Sequence, residues 1–464
     1  MKKLSLLLLL SVSLITLKAN NVVLANVLLN GQNTGSQYSL VNFDISWDNS
    51  WRTITNEANY DGAWLFMKFR KKSSFLWQHA TLNAANTTTP AGSVVQTALD
   101  GKGAWIYKSL PGADFTGSVN YTGAKMRWDY GADGVLNTDS VEIRLFAVEM
   151  VYIPAGKYQL GSGGSESAHF NEATLTTPYN VLSEGAIIVG TTATNLTYQV
   201  SAGGGDASGP IPSAFPKGFQ AFWIMKYECS QQQYVDFLNN LDLAKVVNRN
   251  PGSYTGTHPN LVAPIPERAA HTLSIYDNAA IGDWSAMRPF TELEYEKACR
   301  GFNQVPIANE YPWGNTTIAA TSILVNPGTS SETASNGNAN YGATVGTAIR
   351  CGIYATSTSN RQQSGATYYG VMEMAGNLYE TTISVGNPTG RTFTGAHGDG
   401  NLDVNGDANV ANWPVNGTGY GFRGGGNGDN AVQLRTSDRL NALYPGSSTT
   451  RLSASGSRLA RTAE

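Results

Sequence analysis

Between residues 41 and 47 apolar and polar side chains alternate strictly, with Val41, Phe43, Ile45 and Trp47 set against Asn42, Asp44 and Ser46. A period of two places all four apolar side chains on one face of a strand. Trp64, Phe66 and Phe69 mark a second strand-like run that ends at Arg70-Lys71-Lys72. Further runs fall at 104–108, 124–128 and 141–148, between turns rich in Gly, Asn and Asp. Residues 20–148 therefore read as an N-terminal antiparallel β-sandwich. Trp47, Trp51, Trp64, Trp77, Trp105 and Trp128 suit the core of such a domain better than an exposed sugar-stacking platform, because a sandwich needs large apolar side chains inside.

The pattern changes after residue 149, and two helices can be read directly. Ser230 with Gln233 three residues on forms a capping box, and Tyr234, Phe237 and Leu238 recur at helical spacing as far as Asn239-Asn240. Thr291 and Glu294 open a second helix in the same way, and Gly301 after Arg300 closes it. A long Gly-, Ser- and Thr-rich segment, 162–218, reads as a surface excursion.

Composition narrows the function classes. Charged residues make up only 14% of the 464, Gly numbers 50 and the net charge is -3, which suits a loop-rich exported protein and argues against nucleic acid as a partner. Residues 1–19 carry Lys2 and Lys3, an apolar core and Ala19, the pattern of an export signal. No membrane span is expected once the signal is removed, and the destination reads as secreted, periplasmic or cell surface. Cys229, Cys299 and Cys351 are too few and too widely spaced for a disulfide framework or a metal motif.

Several segments in order resemble the formylglycine-generating enzyme, or sulfatase-modifying factor, family. They are Met150-Val151-Tyr152-Ile153-Pro154-Ala155-Gly156, Phe222 to Glu228, Arg288-Pro289-Phe290-Thr291-Glu292-Leu293-Glu294-Tyr295-Glu296, Tyr311-Pro312-Trp313-Gly314-Asn315, Gly370 to Glu380, Gly421-Phe422-Arg423-Gly424-Gly425-Gly426 and Gly456 to Arg461. The resemblance covers 149–464 and implies an irregular α+β, C-type-lectin-like fold. It also implies a copper-dependent oxidation at two cysteines, but those positions fall at or near Asp429 and Leu434. Neither is a thiol, so copper is not expected.

The resemblance further implies a structural calcium ion held by Glu373, the carbonyls of Gly376 and Leu378, and Glu380; hard oxygen donors suit that ion. A second family calcium site would begin at Asn340 and the Tyr341 carbonyl, but no Asp follows before Glu373. Iron is not expected, since His79, His169, His258, His271 and His397 form no ligand pair at helical spacing. Asp403-Val404-Asn405-Gly406-Asp407 reads as a turn-rich loop.

Between Arg423, Arg435, Arg439 and Arg458, read as structural forks, lie short polar residues suited to an adaptable binding face: Asn427, Asp429, Asn430, Gln433, Tyr444, Ser453 and Ser455. This segment also looks like the variable region of lectin-fold proteins diversified by retroelements. The leading expectation is a non-catalytic protein that binds an extracellular protein, peptide or glycan. The alternatives are an oxidase with a divergent active site and a structural part of an envelope or secretion assembly.

Overall fold

The structure, a computed structural model, describes residues 22–464 apart from 75, 174–175, 201–202, 415–416 and 444–445. The expected export signal and Tyr444 lie outside the described residues. The N-terminal region is built of β1 (Val23–Asn33), β2 (Tyr38–Arg52), β3 (Tyr60–Lys71), β4 (Gln78–His79), β5 (Leu82–Thr88), β6 (Ser93–Thr97), β7 (Ala104–Lys108), β8 (Phe115–Trp128) and β9 (Val141–Ile153). Pairing is antiparallel throughout: β2 lies between β1 and β8, and β3 lies between β9 and β7. The sheet curls on itself, so Phe43, Ile45 and Trp47 of β2 meet Leu65, Met67 and Phe69 of β3 in one core. Trp47, Trp64, Trp105 and Trp128 are buried, whereas Trp51 and Trp77 are half-buried.

Two separate units meeting at residue 148 were expected, yet β9 runs unbroken through that point. Its last four residues pair with the strand Phe222–Met225, which in turn pairs with Ala460–Thr462. Eleven strands thus form one hydrogen-bonded sheet that takes in both halves of the chain. The motif at Met150 opens in mid-strand, so a boundary placed by the onset of motifs divides a single element.

Among the described residues five α-helices follow: α1 (Gln231–Leu238), α2 (Leu243–Arg249), α3 (Ile275–Trp284), α4 (Glu292–Arg300) and α5 (Pro388–Arg391). Both expected capping boxes form, at Ser230/Gln233 and Thr291/Glu294, and Gly301 ends α4 with a φ of +90°. A core shared between the halves joins Trp64, Phe66, Trp105 and Phe146 to Trp223, Phe237 and Trp284.

Directed polar contacts reinforce that core. Lys68 Nζ donates to the carbonyls of Trp284 at 2.7 Å and Gly400 at 2.6 Å, and Trp64 Nε1 donates to the Ser285 carbonyl at 2.9 Å. Lys226 Nζ bridges Asp61 at 3.1 Å and Glu149 at 3.0 Å. Segment 162–218 is no mere excursion, because Phe170, Leu196, Ile211 and Phe215 are fully buried within it. No helix among the described residues is long and apolar enough to cross a membrane.

Candidate functional site

The site rests on α4. Glu292, Glu296 and Arg300 follow at four-residue spacing and so share one helix face. Arg423 reaches that face with Nη1 3.2 Å from Glu292 and Nη2 2.8 Å from Glu296. Arg439 grips Glu292 with two nitrogens, at 2.7 and 2.9 Å. Its guanidinium also lies 4.0 Å from the Phe170 ring centre and 4.4 Å from that of Tyr198. Burial pushes the Glu296 carboxyl upward, but Arg423 and Arg300 outweigh it and hold the group below its ordinary value. These arginines are therefore spent inside the fold, in the structural role their planar forks suit.

Above this platform the chain passes from the strand Tyr420–Arg423 through Gly424 and Gly425, at φ +79° and +68°. A Cβ on Gly424 would stand 2.6 Å from the Met374 carbonyl oxygen, so the approach admits only glycine. The loop then reaches the two positions where the resemblance would have cysteines. Leu434 is 0% exposed and packs with Tyr311, Trp313, Ala339 and Ala375. Asp429 braces the loop: its carboxylate accepts the Gly426 N–H at 2.8 Å and its carbonyl accepts the Gly342 N–H at 2.7 Å.

Tyr379 links the polar residues. Its ring stacks on Phe422 at 4.9 Å, its hydroxyl meets the Asn441 side chain at 3.5 Å, and its backbone N–H donates to Ala454. Burial, together with the Asp429 carboxylate beside it, pushes the Tyr379 phenol upward, so it stays a neutral donor. The sequence reading missed this residue as a site member; an aromatic ring directly before Glu380 was the available signal.

Asp429 lies beside the Tyr379 hydroxyl, the Asn427 N–H donates to the Asn377 carbonyl at 2.9 Å, and Ser453 precedes Ala454, whose carbonyl accepts the Tyr379 N–H at 2.7 Å. Gln433 and Asn430 form the capping box of a short 3-10 turn, Ala431–Leu434. Ser455 does not join the face. It is 2% exposed, and its carbonyl accepts the Leu273 N–H, so it lies behind the surface as part of the wall.

All three cysteines are free and buried, in three different apolar clusters. Burial pushes every one of their thiols up. A thiol held neutral is a poor nucleophile and a poor copper ligand.

The four expected calcium ligands lie in a loop whose Glu373, Gly376 and Asn377 all adopt positive φ. Glu373 Oε1 accepts the Gly352 N–H at 2.9 Å, while its buried Oε2 has no partner. Burial pushes the Glu373 carboxyl up to about 7. Glu380 pairs with Arg458 at 2.7 Å, and Glu228, raised by burial and by Glu380, accepts the Leu378 N–H. Three buried carboxylates thus surround one guanidinium, a set short of positive charge. Among the described residues no three His, Cys, Asp or Glu side chains converge as a metal cluster. At the family's second calcium position, which this sequence was not expected to keep, the Tyr341 carbonyl accepts the Thr344 hydroxyl at 3.0 Å. Asp403 closes its own turn by accepting the N–H groups of Asn405 and Asp407.

The sulfatase-modifying factor enzyme 1-like domain family matches residues 142–463, from the second residue of β9 to just past the last strand. The chain belongs to the sulfatase-modifying factor family. No curated protein matches it. Within this sulfatase-modifying factor domain, the ordered motifs mark the buried scaffold, while the polar residues around Tyr379 differ in kind from a thiol-bearing site.

Proposed function

We propose that this protein is an exported, non-catalytic member of its family that binds a protein, peptide or glycan through the face around Tyr379. The observation that carries this reading is the pair Asp429 and Leu434. One is a loop brace and the other a core plug, and neither side chain can supply a thiolate to a copper ion. Asn427, Asp429, Asn430, Gln433 and Ser453 offer short donors and acceptors on a framework fixed by buried ion pairs, which limits the entropy lost on binding.

The test has two arms. Copper and a cysteine-containing sulfatase peptide should give no oxygen consumption; turnover restores the oxidase reading. Against arrays of extracellular peptides and glycans, the triple variant Asn427→Ala, Asp429→Asn, Gln433→Ala should lose roughly tenfold or more in affinity for whatever the wild type binds, with the fold retained by circular dichroism. Equal binding by the variant removes the face from consideration.

Calcium belongs to the same proposal. The unpartnered Glu373 Oε2 and the surplus of carboxylate charge support a structural ion held by Glu373 and Glu380 with the carbonyls of Gly376 and Leu378. Such an ion should add roughly 2–3 kcal/mol of stability at about a hundred times its Kd. Thermal melts with calcium and with chelator check this: the wild type should melt higher in calcium, and Glu373→Gln should melt alike in both. Identical wild-type melts in the two conditions rule out the ion.

A further inference from the structure

Away from the Tyr379 face, a cavity of about 240 Å³ opens where the 162–218 segment meets the end of the shared sheet. Its floor is the fully buried pair Arg288–Glu294, closed by two hydrogen bonds at 2.6 and 2.9 Å. Arg288 also gives both Nε and Nη2 to the Thr462 hydroxyl oxygen at 3.2 Å. With its lone pairs so engaged, Thr462 has its own O–H left to donate toward the cavity. On the opposite wall Glu184 accepts the N–H groups of Lys217 at 2.9 Å and Gln220 at 2.8 Å, which leaves each oxygen a further lone pair.

The rim side chains Ser213, Gln220 and Thr394 make no side-chain hydrogen bond among the described residues. Between these polar groups stand the apolar surfaces of Ala214, Pro216 and Ala221. Arg288 neutralises Glu294, and the remaining carboxylate of the lining, Glu184, lies within electrostatic range of Lys217 and Lys297, whose ammonium groups burial pushes down to about 8 and about 7. Such a lining neither attracts a strong anion nor retains a bare cation. It suits a small neutral molecule that carries several hydroxyls on one edge and C–H groups on its faces.

We propose that this cavity is a binding site for a single neutral pyranose ring, either a free monosaccharide or the end of a glycan. Ring hydroxyls donate to Glu184 and accept from Thr462 and the Gln220 amide, while a C–H face lies on Pro216. The volume lies below that of pockets that enclose drug-sized ligands, which suits a ligand of one ring. The site is independent of the Tyr379 face.

Saturation-transfer NMR with the methyl glycosides of glucose, galactose, mannose and N-acetylglucosamine tests the proposal. At least one should receive saturation at millimolar concentration. The signal should vanish in Ala214→Trp and in Thr394→Trp, both exposed rim positions, at unchanged melting temperature, and should persist in the triple variant of the Tyr379 face. The proposal is overturned by the absence of transfer to all four sugars. Transfer that survives both rim tryptophans, or is lost only in the face variant, overturns it equally.

Discussion

Replacing Glu292 with Ala should destabilise the protein by about 3–5 kcal/mol, the largest loss expected from any single substitution on the α4 face. Glu292 is the shared counter-ion of Arg423 and Arg439, and all three side chains are fully buried. Removing it leaves two guanidinium groups out of water with less opposing charge. Arg423 keeps Glu296 at 2.8 Å and the Thr436 carbonyl at 2.7 Å; Arg439 keeps no carboxylate, only the carbonyls of Ala168 and Gly204 and the rings of Phe170 and Tyr198.

Carbonyl dipoles do not replace a carboxylate at this depth. Glu292 Oε1 also accepts the Val385 N–H at 2.9 Å, so the turn at Val385 loses an anchor as well. Urea unfolding of wild type and variant measures the effect. A loss below about 1 kcal/mol would mean that the network relaxes or hydrates easily, and the platform would then not be the rigid support assigned to it.

Those ion pairs also mark where sequence and structure part company. The local elements were legible because short-range physics decides them: Ser230/Gln233 and Thr291/Glu294 are self-contained caps, and the alternation at 41–47 needs only a core on one side. Helix α3 escaped notice because Ile275, Ala279, Ala280, Ile281 and Trp284 are buried all round it, which erases the periodicity of an amphipathic helix. Its Ser274/Asp277 capping box was the one readable sign. Segment 162–218 was misjudged because its Gly, Ser and Thr content hides a few decisive apolar residues.

The site divides in the same manner. Gly424, Arg423 and Arg439 were readable as scaffold, since a fork and a forced glycine keep their roles wherever the loop runs. The split between Ser453, which is exposed, and Ser455, which is buried, was not readable. It depends on which residue the neighbouring strand edge at Tyr379 happens to cover.

A chain that begins at Glu149 should fail to fold cooperatively, although it retains nearly every motif of the family domain. The cut leaves Met150 to Ile153 paired with Phe222–Met225 on one side and removes β3 from the other, so an interior ladder becomes an open edge. It also strips Trp64, Phe66, Trp105 and Phe146 from the shared core and exposes Trp223, Phe237 and Trp284 to water. At about 1.5–3 kcal/mol for each large side chain so exposed, these losses take a large share of the stability of an ordinary domain. Lys226 loses Asp61, and the carbonyls of Trp284 and Gly400 lose Lys68. Near-UV circular dichroism and a thermal melt decide the matter. The fragment should show weak aromatic signals and no sharp transition, whereas a soluble fragment melting cooperatively within a few degrees of the full chain would mean that the N-terminal strands are an attached module rather than half of the core.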